Sequence, residues 1–104
     1  MKPVRVLVDA AEDLEKAKEF YDKQEPGIGD YCVRTLVGEI ASLGKFHGAH
    51  KVHWGAHRML SKKFPYGIFY LDTKEDVQVI AVLDLRRMPS RLKASVQGRG
   101  LPGK

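Results

Sequence analysis

Hydrophobic and polar positions alternate with two different periods along this chain, and the change of period divides it into elements. Val4, Val6 and Val8 alternate with Arg5 and Leu7, which predicts a first strand. Ala10, Leu14, Ala17 and Tyr21 then recur at helical spacing, with Phe20 beside them, so one helix face is apolar. Asp9 and Glu12 make a capping-box pattern, and Glu12, Asp13 and Glu15 give the acidic first turn that a helix N-terminus favours. Glu25-Pro26-Gly27 breaks that helix. A second helix is predicted from about Ile28 to Asp30 onward, with Cys32, Leu36, Ile40 and Leu43 on one stripe and Gly44 as its C-terminal stop. Gly38 interrupts it at a cost of about 1 kcal/mol relative to alanine, so close packing against the first helix is expected there.

The second half reads at period two. Residues 45–57 carry glycines and histidines without a clear period and predict a loop. Strands follow at about 58–61, 66–72 and 77–84, the last two flanking the polar segment 72–76 as an antiparallel hairpin. In such a strand Tyr66, Ile68 and Tyr70 share one face and Phe69 and Leu71 the other, so one set must be core. Pro89 takes the chain out of the sheet. A short basic helix over 90–97 is predicted next, with Ser90 as cap, Leu92 and Val96 as inner contacts and Gly98 ending it. The residues from Gly98 to Lys104 read as a flexible basic tail on a single domain, 1–97.

With 104 residues there is room for one core, and 43% hydrophobic with 30% charged residues is the composition of a globular chain rather than a disordered one. No stretch approaches the roughly 20 apolar residues of a membrane span, and the apolar start is too short for a secretory signal. One cysteine, Cys32, excludes an internal disulfide and suits a reducing compartment, so a cytoplasmic location is expected. Cys32 itself reads as a buried small hydrophobe. Charge changes the picture more. Residues 1–44 hold six Lys/Arg against nine Asp/Glu, whereas residues 45–104 hold twelve against four. The cationic excess therefore lies with the strands, and such a change of sign suggests a surface that meets an anionic partner.

The segments FPYGIFY and AVLDLRRMP carry a resemblance. They are similar to the strands and the Arg-Arg-x-Pro exit of the RelE/ParE superfamily of toxins from bacterial type II toxin–antitoxin, or plasmid-stabilisation, modules. Pro26-Gly27-Ile28-Gly29 resembles the family's approach to its second helix, and the likeness covers roughly residues 3 to 93. It implies an α+β fold in the order β-α-α-β-β-β, a helical hairpin packed on a small, mostly antiparallel sheet. It also implies a growth-arresting protein neutralised by an acidic, partly disordered antitoxin that folds on binding, without cofactor, in a hetero-oligomer or as a homodimer.

Two branches of the family act differently, and the residues here lean toward one. The mRNA-cleaving members are metal-free nucleases that need a cationic cradle and an acid/base pair for attack by the 2′-hydroxyl. Arg58 and Arg87 match cationic positions, but Gly67 stands where the cleaving pattern has arginine, and residues 88–96 hold no tyrosine or histidine. The resemblance therefore favours the ParE-like branch, whose members inhibit DNA gyrase, although many ParE-like chains have histidine where this one has Asp84. If the chain is instead a nuclease on the translating ribosome, His57 or Asp84 is the candidate base beside Arg58 and Arg87. A third reading is a degenerate basic domain that binds only antitoxin or nucleic acid.

For binding, the candidate set is Arg58, Lys62, Lys63, Arg86, Arg87 and Arg91, expected to converge on one concave face. The plain alternative makes the lysines turn residues and the arginines guards of a strand edge. His47, His50, His53 and His57 invite a metal site, but Gly48 and Gly55 weaken the helix that would align them and no cysteine or carboxylate lies among them. They read as a polar loop, with no metal assigned. Trp54 reads as a packing anchor.

Overall fold

In the computed structural model, which describes residues 1–99, the two longest apolar runs pair at the centre of a sheet whose two faces the helices cover. The elements in chain order are β1 (Val4–Val6), α1 (Val8–Gln24), α2 (Ile28–Ala41), α3 (Leu43–Phe46), β2 (Val52–His53), β3 (Ala56–Leu60), β4 (Tyr66–Asp72), β5 (Val77–Asp84) and α4 (Pro89–Gln97). The sheet runs β1-β5-β4-β3-β2, antiparallel except for the β1–β5 pair. This is the expected α+β arrangement, with a five-stranded sheet where four strands were predicted.

Both faces of β4 and β5 are buried, which is why these strands read as nearly continuous apolar runs. Tyr66, Ile68 and Tyr70 join Val77, Val79 and Val82 under Ala10, Leu14 and Ala17 of α1 and Cys32, Leu36 and Ile40 of α2. Phe69, Ile80, Ala81 and Leu83 pack on the opposite face with Leu92 and Val96 of α4. Ile80 and Ala81 are neighbours yet share a face because β5 bulges. Tyr70 pairs with Val79 and Phe69 with Ala81, so Ile80 has no partner opposite it.

The bulge lies where β5 loses its other neighbour, since β1 pairs only with Val77, Gln78 and Val79 and stops at Val6. Beyond that point Val82 N–H donates to Asp13 Oδ2 at 2.9 Å, and the Ile80 carbonyl accepts from Arg99 Nη1 at 3.2 Å. Asp13 and Arg99 also clasp each other, Nη1 on Oδ2 and Nη2 on Oδ1. Asp13 is 6% exposed. A buried ion pair from α1 and from just past α4 thus satisfies the backbone that an absent strand leaves open. Of the predicted tail, Gly98 closes α4 and Arg99 is held by this pair; residues 100–104 lie outside the described ones.

Several local expectations are corrected. α1 starts at Val8 with Leu7 as its N-cap and no side-chain cap, so the Asp9/Glu12 box does not form. Leu7 N–H instead completes the β1–β5 ladder onto Val79 O at 3.0 Å, so the strand leads straight into the helix. α2 ends at Ala41, not Gly44, because the Ser42 hydroxyl bonds Glu39 O at 2.6 Å before α3 begins. Gly44 is buried, its α-carbon facing the Lys2 carbonyl. α4 starts at Pro89, whose missing N–H costs nothing in a first turn, with Met88 rather than Ser90 as N-cap.

The glycine at the α1–α2 contact is also a different one. A Cβ on Gly38 would meet nothing within 4 Å, whereas a Cβ on Gly29 would stand 2.2 Å from Lys18 O and 2.6 Å from the Asp22 carboxylate. That carboxylate accepts the N–H groups of Gly27 (3.2 Å) and Gly29 (2.8 Å), capping α2 from the end of α1. The bonds from Lys18 and from these amides hold the Asp22 carboxyl below its ordinary range.

Two sets of substitutions test this account. Gly38→Ala should raise stability by about 0.5–1 kcal/mol while Gly29→Ala lowers it, both read as shifts of the urea midpoint at constant slope; equal effects would place the close contact elsewhere. Removing one partner of the buried pair, by Asp13→Ala or Arg99→Ala, should cost about 3 kcal/mol, and the double variant should cost much less than the sum. Additive losses would mean that the two side chains act separately.

Candidate functional site

A groove of about 890 Å3 opens between α2 and the outer edge of β3. Its apolar surface comes from Met59 and Leu60 of β3 and Phe46 of α3, with Leu60 56% and Phe46 54% exposed. Its cationic side chains are Arg34, Lys51, Arg58, Lys62 and Lys63, against a single carboxylate, Glu39. Three of the six residues named as a binding set, Arg58, Lys62 and Lys63, therefore line this groove.

The exposed strand edge arises from the length of β2. The Trp54-Gly55 turn joins β2 to β3 with both residues at positive φ (56° and 90°), as a two-residue hairpin of the favoured twist needs. β2 is only two residues long, so the predicted loop 45–57 contains α3 and this short strand, and β3 begins at Ala56 rather than Arg58. Arg58 N–H still reaches Lys51 O at 2.9 Å. Further along the same edge, Lys62 N–H is taken by Glu39 Oε2 at 2.8 Å, a carboxylate of α2 acting where a strand acceptor would sit. Between these two points the Leu60 amide faces outward, since antiparallel pairing with β4 uses alternate residues. At the groove, Glu39 Oε1 and Arg58 Nε are buried with no hydrogen-bond partner. Such atoms are rare among buried polar groups.

Arg86, Arg87 and Arg91 do not line the groove, so the structure does not bring the six expected cations to one concave face. Arg86 turns back on Asp84, with Nε 2.9 Å from Oδ1 and Nη2 2.6 Å from Oδ2, and its guanidinium lies 5.9 Å from the Phe20 ring centre. Asp84 also accepts the Arg86 backbone N–H at 2.9 Å. These bonds hold its carboxyl below the ordinary carboxylate range. A carboxylate so stabilised is a poor base at neutral pH. Arg87 and Arg91 are exposed at the β5 exit and on α4.

The four histidines have individual partners. His47 Nδ1 lies 3.1 Å from Asp72, which also binds Lys2 Nζ at 2.8 Å. His57 stacks on Tyr70, centroids 5.1 Å apart and 20° between planes, and its Nδ1 donates to His50 O at 2.6 Å. His53 sits edge-on to Trp54. The Tyr70 hydroxyl accepts Gly48 N–H at 3.1 Å and lies 2.6 Å from His50 Nδ1. With Tyr70 as the donor, His50 is the neutral imidazole protonated on Nε2. Burial lowers the His50 pKa, and the neighbouring His57 lowers it further. Of the candidate bases, neither His57 nor Asp84 lines the groove, while His50 and His53 do.

The remaining expectations resolve simply. Tyr66, Ile68 and Tyr70 are core, and burial raises the hydroxyl pKa of both tyrosines. Cys32 is fully buried, and burial pushes its thiol up to about 11, far from a nucleophile's range. Trp54 stacks on Phe69 at 6.1 Å, on the α4 face. Sequence reasoning missed Arg34, Lys51, Glu39 and Phe46 as groove residues. The first three read as ordinary solvated charges, and only the fold shows that Glu39 reaches an amide 23 residues away.

No family model matches the chain, and no curated protein matches it. Among solved structures it is similar to a chain of the chromosomal ParDE TA system from P. aeruginosa, with a TM-score of 0.74 and 14% sequence identity, over 82% of this chain and 97% of that one. The fold is therefore the RelE/ParE-like one that the strand and helix motifs predict. No helix among the described residues is long and apolar enough to cross a membrane.

The His50–Tyr70 network makes stability depend on pH. The folded His50 pKa lies below its unfolded value of about 6.5, so its contribution is complete above that pH and is lost as the pH falls toward the folded value. The urea midpoint should fall between pH 7 and pH 5, and His50→Gln should flatten part of that fall. An identical slope in the variant would assign the titration to other groups.

Proposed function

We propose that this chain is the toxin of a bacterial type II toxin–antitoxin module, and that it arrests growth by binding a protein target, DNA gyrase, rather than by chemistry of its own. The observation that carries the reading is the superposition of the helical hairpin and sheet on a chain of a ParDE system at a TM-score of 0.74. The groove supports it. An apolar floor within a cationic rim suits an anionic, partly apolar partner, and the same chemistry suits an acidic antitoxin that folds as it binds.

The side chains favour binding over cleavage. Asp84 is held as a carboxylate by Arg86. His57 donates Nδ1–H to His50 O, lays its ring on Tyr70 and lies outside the groove. Arg87 lies outside the groove that Arg58 lines. The residues that the nuclease reading names do not share the groove, which supports binding over cleavage. One missing general acid or base lowers a rate by about 10²–10⁴.

Inducible expression in a bacterium should arrest growth, with rescue by a small co-encoded acidic protein, and the purified chain should reduce supercoiling by gyrase. Arg58→Ala should weaken that inhibition by about tenfold or more by raising the concentration required, because a charge buried against a partner acts on affinity. Normal growth at high soluble levels would remove the toxin reading. Position-specific cuts in mRNA on translating ribosomes, abolished by Arg58→Ala, would move the chain to the nuclease branch and make the groove-lining His50 and His53 the first bases to test.

A further inference from the structure

Between α3 and β2 the chain crosses the end of β4 as a short strap, residues 47–51, and none of these residues is buried. It rests on polar groups rather than on apolar packing. Gly48 N–H and His50 Nδ1 both meet the hydroxyl of Tyr70, at 3.1 and 2.6 Å. His57 Nδ1 donates to the His50 carbonyl at 2.6 Å, and His47 Nδ1 donates to Asp72 at 3.1 Å. Gly48 takes a φ of 78°, and a Cβ on it would stand 2.9 Å from Asp72 Oδ2, so the strap lies close on the strand. Segments with few buried apolar contacts open at a small cost in free energy.

A proton acts differently on each of these histidines. His47 and His57 use an N–H toward a carboxylate and a carbonyl, so a second proton on the other ring nitrogen leaves those bonds in place. His50 is the exception. Tyr70 is fully buried, and among the described residues its hydroxyl has no hydrogen-bond partner besides Gly48 N–H and His50, so Nδ1 is the acceptor for its proton. An imidazolium has no acceptor. Protonating His50 on Nδ1 therefore strands a buried hydroxyl proton, which folded proteins rarely tolerate.

We propose that the strap is an acid-released latch: protonation of His50 detaches residues 48–51 from Tyr70 and opens one wall of the groove while the sheet stays folded. His50 and Lys51 line the groove from the strap, Phe46 precedes it and His53 follows it, so its release moves that whole wall. Nothing around His50 compensates a positive charge. Tyr70 of β4 is neutral, and His57 of β3 stacks on the same ring. Asp72, farther along β4, is engaged by Lys2 and His47, and Glu39 of α2 by the Lys62 amide. The shared groove adds only like charges, from Arg34, Lys51, Arg58, Lys62 and Lys63. The sign follows. Neutral His50 holds the latch shut above the ordinary imidazole value of about 6.5, and the latch opens as pH falls toward the lower value of the closed state. His47 works the other way, gaining attraction to Asp72 when charged, so the strap stays hinged at that end. A ligand seated against the closed wall is held at neutral pH and loosened in mild acid. The latch does not depend on the toxin reading.

The test is amide hydrogen exchange on the full chain, read as protection factors corrected for the intrinsic pH dependence, together with nitrogen NMR shifts of the histidine rings. Between about pH 7.5 and about pH 5.5, protection of the Gly48 amide should fall at least tenfold while amides of β4 and β5 keep theirs. At neutral pH the His50 ring should carry its proton on Nε2 and none on Nδ1. His50→Asn places a non-titrating acceptor near the position of Nδ1 and should keep the Gly48 amide protected at both pH values. Tyr70→Phe should leave that amide unprotected at both, and His47→Asn should preserve the step. If Tyr70→Phe fails to fold, His50→Asn and the ring shifts decide alone. Full protection of Gly48 in acid would overturn the latch. So would a step that survives His50→Asn or vanishes in His47→Asn, a loss shared by β4 and β5, or a proton on His50 Nδ1 at neutral pH.

Discussion

At the edge of β5 a carboxylate and a guanidinium occupy the place of a missing strand. β1 is three residues long, and β5 continues past it into the interior carrying backbone groups that no water reaches. Asp13 answers one donor and Arg99 one acceptor, and in doing so together they neutralise each other. The bulge at Ile80 lies beside that arrangement, and it sets which β5 side chains meet the helical hairpin and which meet α4.

The opposite edge of the sheet is managed differently. There Glu39 closes one amide and β2 covers two residues, but Leu60 is left open in an apolar setting. One edge is sealed by internal charge, and the other keeps an outward-facing backbone at Leu60. The cations divide in the same way. Arg86 is committed to Asp84 within the strand exit, whereas Lys62, Lys63 and Arg58 face the groove. Equal formal charges thus have unequal freedom to engage a partner.

The elements with strong period were legible in the sequence. β4 and β5 fall within a residue of their predicted bounds because both faces are buried, and the stripes of α1 and α2 are the residues found in the core. The misses have physical causes. Trp54 at a positive-φ turn position carries no turn signal, so the β2–β3 hairpin was hidden in a stretch that reads as loop. Gly38 and Gly29 look alike in sequence, and only the crossing of α1 over α2 decides which needs to be a glycine. Asp9 and Glu12 have capping spacing, but β1 reaches Leu7 through its last hydrogen bond and leaves no residue free for a cap. The groove draws on α2, α3, β3 and the turn after it, and nothing local links Glu39 to Lys62. The six cations looked like one set because sequence order shows neither the strand order nor the private pairing of Arg86.

Trp54 has a consequence for spectroscopy. It is the chain's one indole, fixed in a left-handed turn by its stack on Phe69 and flanked edge-on by His53, which lines the groove. Its emission therefore originates from one known place, the tip of the hairpin that leaves the β3 edge open. A protonated imidazole beside it quenches, and a less polar surrounding shifts the band to the blue. The molecule carries its own optical reporter at the tip of this hairpin, next in sequence to the groove-lining His53 and readable in ultraviolet light without any label.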